Sequence, residues 1–192
     1  MSGDSHGVVA VRRADVLVCG ISTADRAAVD SMLNEYGIPR PDTLSMAQKW
    51  SMACPAIPTC GLAITESERT LPALITQFEG MLGELGLSDQ QLSVRMTGCP
   101  NGCARPYNSD VGLVGRSGTK YTMFVGGSHR GDRLSFVLQD LVERDQVVPL
   151  MRTLLGRFKG ERASDEGFGD WCTRQGVESL CGTLGLAFPK AT

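Results

Sequence analysis

The chain has 192 residues, 42% of them hydrophobic, and a formal net charge of −2, which allows one or two domains with an ordinary globular core. That charge balance excludes a basic nucleic-acid-binding surface, since Arg12-Arg13 and the arginines at 130–133 are short and interrupted. No apolar run approaches the length of a membrane span, residues 1–13 carry Asp4 and no continuous apolar stretch, so no signal peptide is read there, and there is neither internal repeat nor low-complexity segment.

In chain order, residues 1–14, with His6, read as a disordered start. Asp15-Val16-Leu17-Val18-Cys19-Gly20 reads as a short buried strand. Ser22 and Asp25 resemble a capping box, and a helix then runs to Tyr36, stopped by Gly37 before a Pro39–Pro41 linker. One strand and one helix cannot bury both faces alone, so 15–44 is expected to be a partial α/β half-domain. Residues 45–192 form the second domain.

In that domain, Leu71, Leu74, Ile75, Phe78, Leu82 and Leu85 recur at three- and four-residue steps, one face of an amphipathic helix. Leu92, Val94 and Met96 alternate with Ser93, Arg95 and Thr97, predicting a strand, and Tyr121, Met123 and Val125 predict another that ends at Gly126-Gly127. Val147, Met151, Leu154 and Phe158 return to helical spacing. The order predicts an α+β fold. Phe168 and Trp171 are read as packed residues of a loop. Cys19, Cys172 and Cys181 are read as buried small hydrophobes, and His129 as solvated in a turn.

The chemistry lies in the other four cysteines. Cys54 and Cys60 bracket five residues that include Pro55 and Pro58, while Cys99 and Cys103 bracket Pro100-Asn101-Gly102; 38 residues separate the pairs. The prolines keep the first segment out of regular helix, and Pro100-Asn101-Gly102 reads as a tight turn whose Gly102 takes a positive φ. Such a turn can aim backbone N–H groups at a negatively charged cluster, and Gly98 and Gly102 remove side chains where a bulky cofactor would press. Four thiolates suit a 4Fe-4S cluster. Inert buried cysteines, a structural zinc site (whose ligand spacing is usually two to four residues) and disulfides are the competing readings.

The segment Ala53-Cys54-Pro55-Ala56-Ile57-Pro58-Thr59-Cys60-Gly61-Leu62-Ala63, followed by Glu66-Ser67-Glu68-Arg69, resembles the first cluster motif of assimilatory sulfite reductase haemoproteins. Met96-Thr97-Gly98-Cys99-Pro100-Asn101-Gly102-Cys103-Ala104-Arg105-Pro106-Tyr107 resembles the second, with Gly112-Leu113-Val114-Gly115 after it. Glu166-Gly167-Phe168-Gly169-Asp170-Trp171 is similar to the C-terminal signature, which puts that loop near the cofactor side. The resemblance covers 15–185 and implies the C-terminal sirohaem/4Fe-4S domain of the nitrite/sulfite reductase fold, preceded by a partial ferredoxin-like segment. It implies six-electron reduction of sulfite, with nitrite as the related substrate, at a sirohaem coupled to a 4Fe-4S cluster. Cys54, Cys60, Cys99 and Cys103 would hold the cluster, and Cys103 would also bridge to the sirohaem iron, the position at which catalysis centres. From their places beside Cys103, Asn101 is read as cofactor-binding and Arg105 as a cationic contact to a cofactor carboxylate, with a solvated Arg105 as the competing reading. The resemblance further implies a ferredoxin or flavoprotein electron donor and a missing N-terminal half that supplies most of the substrate pocket. A cytoplasmic, reducing location suits free thiolates. A module that binds the cluster alone and only transfers electrons is the alternative.

Overall fold

The computed structural model describes residues 7–10 and 16–187, with side chains from Val18 onward. Its backbone divides after Leu44 into two units.

In the first unit, β1 (Gly7–Ala10) pairs antiparallel with β2 (Val16–Cys19), Gly7 opposite Cys19 and Ala10 opposite Val16. The expected disordered start therefore contributes a strand. Gly7-Val8-Val9-Ala10 is apolar and partly β-branched, and a lone β2 would leave both ladder edges unpaired. Residues 1–6, with His6, and 11–15 lie outside the described residues. The buried-strand expectation also needs correction, because Val18 is 45% exposed and Cys19 is only half-buried. Ser22 donates to the Asp25 carboxylate at 2.7 Å and accepts from the Asp25 N–H at 3.2 Å. That reciprocal pair closes the turn just before α1 (Arg26–Glu35). Tyr36 caps the helix and Gly37, at φ +66°, ends it. No α1 residue is buried.

The second unit runs α2 (Met46–Trp50), β3 (Met52–Ala53), α3 (Leu71–Leu85), β4 (Val94–Thr97), β5 (Val111–Ser117), β6 (Lys120–Val125), β7 (Phe136–Glu143), α4 (Val147–Glu161) and α5 (Phe168–Leu184). The sheet order is β3-β4-β5-β6-β7. β3, β4 and β5 are parallel neighbours, and β6 and β7 continue antiparallel. Parallel pairing leaves the carboxyl ends of β3 and β4 side by side, the usual place for a site in a parallel sheet.

Strand alternation sends Val94, Met96, Val111, Leu113, Tyr121, Met123 and Val125 into one core with α3, α4 and α5. The expected helical faces form: Leu71, Leu74, Ile75, Phe78 and Leu82 are buried on α3, and Val147, Met151, Leu154 and Phe158 on α4. α4 packs against both α3 and α5. Phe168 and Trp171 open a helix rather than lying in a loop, and both pack on the Phe158 ring, 5.6 and 5.7 Å between centroids. The α5 backbone breaks from helix at Gly176, and Arg157 bonds Gln175 before the break and Ser179 and Thr183 after it. Cys172 and Cys181 are buried in this core, and burial pushes both thiols up. His129 is half-buried, not solvated: Trp50 meets its ring edge-on at 4.7 Å and Gln91 bonds it.

The second face of β4 departs from simple alternation. Ser93, Arg95 and Thr97 are buried as well, because the chain from 98 to 108 folds back over them. Asp110 ties this region down, accepting from the Ser93 N–H and hydroxyl and from the Gly169 N–H at the start of α5.

Candidate metal centre

β3 ends at Ala53, and the Cys54 N–H continues the ladder by donating to the Met96 carbonyl at 3.1 Å. The first cysteine thus sits at the carboxyl end of β3, beside Thr97 on the neighbouring strand. Cys99 follows the end of β4 by two residues. Cys54, Ala56 and Ala104 then form a small apolar cluster of their own, backed by Met52 and Ala63. The fold therefore brings the two cysteine segments together. Cys54 and Cys99 are buried, Cys60 is half-buried and Cys103 is exposed, and all four thiols are free.

The first segment turns at Ala56, whose φ is +49°, and the Cys60 N–H closes the turn on the Ala56 carbonyl at 2.7 Å. In the second, Gly102 adopts φ +69° as the turn requires. Protein packing also demands these glycines: a Cβ on Gly98 would meet the Thr65 carbonyl at 2.6 Å and the Ala56 Cβ at 2.7 Å, and one on Gly102 would meet the Tyr107 ring at 2.7 Å. Tyr107 donates to the Pro100 carbonyl at 2.7 Å. Burial, then the Cys99 thiolate, pushes its phenol up, so it remains a neutral donor.

Residues 64–69 brace both segments, a function that sequence spacing does not reveal. The Ile64 and Thr65 N–H groups donate to the Gly98 carbonyl at 2.7 and 3.0 Å, and the buried Ser67 hydroxyl donates to the Met96 carbonyl at 2.6 Å. Arg69 donates to the Ile57 carbonyl and pairs with Glu66 at 2.9 Å. Burial alone would raise the Glu66 carboxyl, but the Ser67 N–H and Arg69 outweigh it and hold it below the usual range. Tyr121 secures the backbone from β6 by donating to the Glu66 carbonyl at 2.7 Å.

Two groups are suited to a sulfur-rich cofactor. The Gly98 N–H already donates to the Cys54 Sγ, 3.3 Å away. The Thr97 hydroxyl is 1% exposed and has no hydrogen-bond partner among the described residues, although buried hydroxyls are nearly always satisfied. Among the described residues no three His, Cys, Asp or Glu side chains gather as ligands of a single metal ion. Four free thiols are the donor set that a four-iron cluster takes, one at each of its corners. Asn101 and Arg105 are exposed beside Cys103. An apolar cavity of about 460 Å³ adjoins this segment, walled by Pro100, Tyr107, Val114, Thr122, Phe124 and Val137.

The family model for the nitrite and sulphite reductase 4Fe-4S domain matches residues 46–191. The chain belongs to this family. Its α+β architecture with a mixed sheet is that of the nitrite and sulphite reductase fold: the structure of Mycobacterium tuberculosis NirA protein superposes with a TM-score of 0.73 at 24% identity, over 88% of this chain and 32% of that one. A dissimilatory sulfite reductase I structure does so at 0.57 and 13% identity, over 74% of this chain and 52% of that one. Among curated relatives, the sulfite reductase (ferredoxin) of Synechococcus elongatus is 44% identical over 166 residues, 86% of this chain and 27% of the relative. The sulfite reductase (NADPH) hemoprotein beta-component of Acidithiobacillus ferrooxidans is 44% identical over 161 residues, 84% and 29% of the respective chains. The nitrite and sulphite reductase 4Fe-4S domain of this chain thus spans less than a third of the length of these relatives.

Proposed function

We propose that this chain is the cluster-binding C-terminal part of a sulfite reductase. Cys54, Cys60, Cys99 and Cys103 would hold a 4Fe-4S cluster, and Cys103 would also serve as the link to a sirohaem. The observation that carries this reading is the meeting of two free-thiol segments at the carboxyl ends of adjacent parallel strands, around one small apolar cluster. When bound, the two cofactors supply the electron transfers and the iron for six-electron reduction of sulfite to sulfide.

The chain's own residues orient and insulate that centre. Cys54 and Cys99 present thiolates from buried positions, where the Gly98 N–H helps hold negative charge. The buried Thr97 hydroxyl, without a partner among the described residues, would supply a donor to a cluster sulfur. Cys103, exposed three residues past Pro100, which walls the apolar cavity, is the thiolate left accessible to a second group. The Arg105 guanidinium and the Asn101 amide, both exposed, remain available to a macrocycle carboxylate and to the cofactor edge.

Residues 15–44 serve as a partial half-domain completed by protein supplied from elsewhere in the full-length enzyme, and 45–192 as the cofactor domain. Ile57 is 41% exposed, Leu62 70% and Ile64 44%. That apolar rim around the first cysteine segment calls for a cover, which the missing N-terminal half would provide. The electron donor is a ferredoxin or an NADPH-dependent flavoprotein, as the names of the two relatives divide. No helix among the described residues is long and apolar enough to cross a membrane, and a reducing cytoplasmic setting suits the free thiols. Nitrite is the second reading, because the matched family covers both substrates.

The deciding experiment is anaerobic purification of the chain where sirohaem is available, with iron, sulfide and zinc analysis and an optical spectrum. A full four-iron complement, together with haem bands that the Cys103→Ser variant perturbs, supports the reading. Haem bands identical in that variant count against the bridge, and bound zinc without sulfide overturns the cluster.

A further inference from the structure

Arg95 lies in the middle of β4, four residues ahead of Cys99, with its side chain only 2% exposed. Strand alternation commits Val94 and Met96 to the helix-covered core and turns Arg95 to the other face, under the second cysteine segment. There its Nη1 donates to the Arg105 carbonyl at 3.2 Å and to the Asn108 Oδ1 at 2.6 Å. Arg105 is two residues past Cys103 and stands at φ +54°, a left-handed backbone that disfavours any residue bearing a Cβ and persists only where its surroundings enforce it. Two bonds enforce it here. The Arg105 N–H closes on the Gly102 carbonyl at 2.7 Å, and its carbonyl is gripped by Arg95. Burying a guanidinium is costly. A rigid planar fork is nonetheless well matched to holding two acceptors at a fixed separation.

We propose that Arg95 is a positioning residue for Cys103: by fixing the Arg105 carbonyl it holds the left-handed turn that aims the Cys103 thiolate. Cys54 owes its place to the β3–β4 ladder and the Gly98 N–H, so the effect of Arg95 is confined to one corner of the site. The inference rests on Cys103 being a cluster ligand, and its test separates the two ideas.

The test uses the full chain with Arg95→Met, Arg95→Lys and Asn108→Ala. Without cofactor, amide exchange at residues 103–105 is expected to speed up about tenfold in Arg95→Met, the scale of one net hydrogen bond, and less in Arg95→Lys, while amides of α4 keep the parent rate. In the cluster-loaded chain, one iron is expected to leave about tenfold faster on oxidation, as for loss of an outer partner of a metal ligand, with Cys103→Ser as the reference. Unchanged exchange at 103–105, acceleration spread equally over α4, or parent-like retention of all four irons would each overturn the proposal. If Arg95→Met does not fold, Arg95→Lys and Asn108→Ala carry the same comparison. Failure of the parent chain to take up iron and sulfide sinks the cluster reading alone, and the exchange measurement still decides whether Arg95 holds the turn.

Discussion

The two faces of the five-stranded sheet are built on opposite plans. On the helix side, Val94, Met96, Val111, Leu113, Tyr121, Met123 and Val125 pack into a core with the apolar stripes of α3, α4 and α5. On the other side, β4 presents Arg95 and Thr97, buried under a loop rather than a helix, while Val114, Thr122 and Phe124 of β5 and β6 wall the cavity. The helix side acts by area: burial is non-directional and contributes about 25 cal/mol per Å² of apolar surface. The loop side acts by direction, through hydrogen bonds that hold individual carbonyls at named points. Stability and site geometry are therefore carried largely by different residues on the same strands, and substitutions on the two faces are expected to fail in different ways.

Phe158→Ala gives the largest expected effect. Phe158 is fully buried between Phe168 and Trp171, so the truncation is expected to cost about 3–5 kcal/mol, read as a lower denaturant midpoint. The folded fraction should still take up iron in the parent ratio. Loss of iron uptake in molecules that remain folded would break the division between faces.

Ser67→Ala comes next, at about 1 kcal/mol, because the Met96 carbonyl keeps the Cys54 N–H when the hydroxyl is gone. Its mark should fall on cluster retention more than on unfolding, seen by comparing iron release with the denaturant midpoint. Thr97→Val separates the two faces most cleanly. Its hydroxyl has no partner among the described residues, so removing it should leave the cofactor-free chain as stable or up to about 1 kcal/mol more stable. The loaded chain should show a lower cluster potential, since a donor to sulfur favours the more negative, reduced state. A potentiometric titration with no shift would count against the donor role.

The smallest effect belongs to an ion pair at the start of α5. Glu166 bonds Arg174 in two places, at 2.7 Å each, and that partner holds its carboxyl down at about 2, from an ordinary 4.5. The folded value is the lower one, so the stabilisation is complete above pH 4.5 and is lost as pH falls towards 2. Arg174 is 48% exposed, so the contribution is modest. Glu166→Gln should lower stability modestly at neutral pH and flatten the acid limb of the melting curve in that window, the variant and the parent converging as pH falls towards 2.

The sequence by itself determined the paired cysteines, the stripes of α3 and α4 and the alternation of β4 and β6. Each is a local pattern, written in side-chain spacing and turn residues that need no distant partner. Other elements left no such pattern. β3 has two residues, β7 shifts register twice against β6 and carries Leu141 at φ +55°, and α5 contains a glycine outside helical geometry. Tertiary structure alone decided that Ser93, Arg95 and Thr97 are buried, that His129 packs on Trp50, and that 64–69 staples the cysteine segments. Periodicity reports which residues share a face, but what covers that face is set by chain dozens of residues away. The thiol chemistry was legible in the spacing of Cys54, Cys60, Cys99 and Cys103, and the contacts that aim those thiols came from the fold.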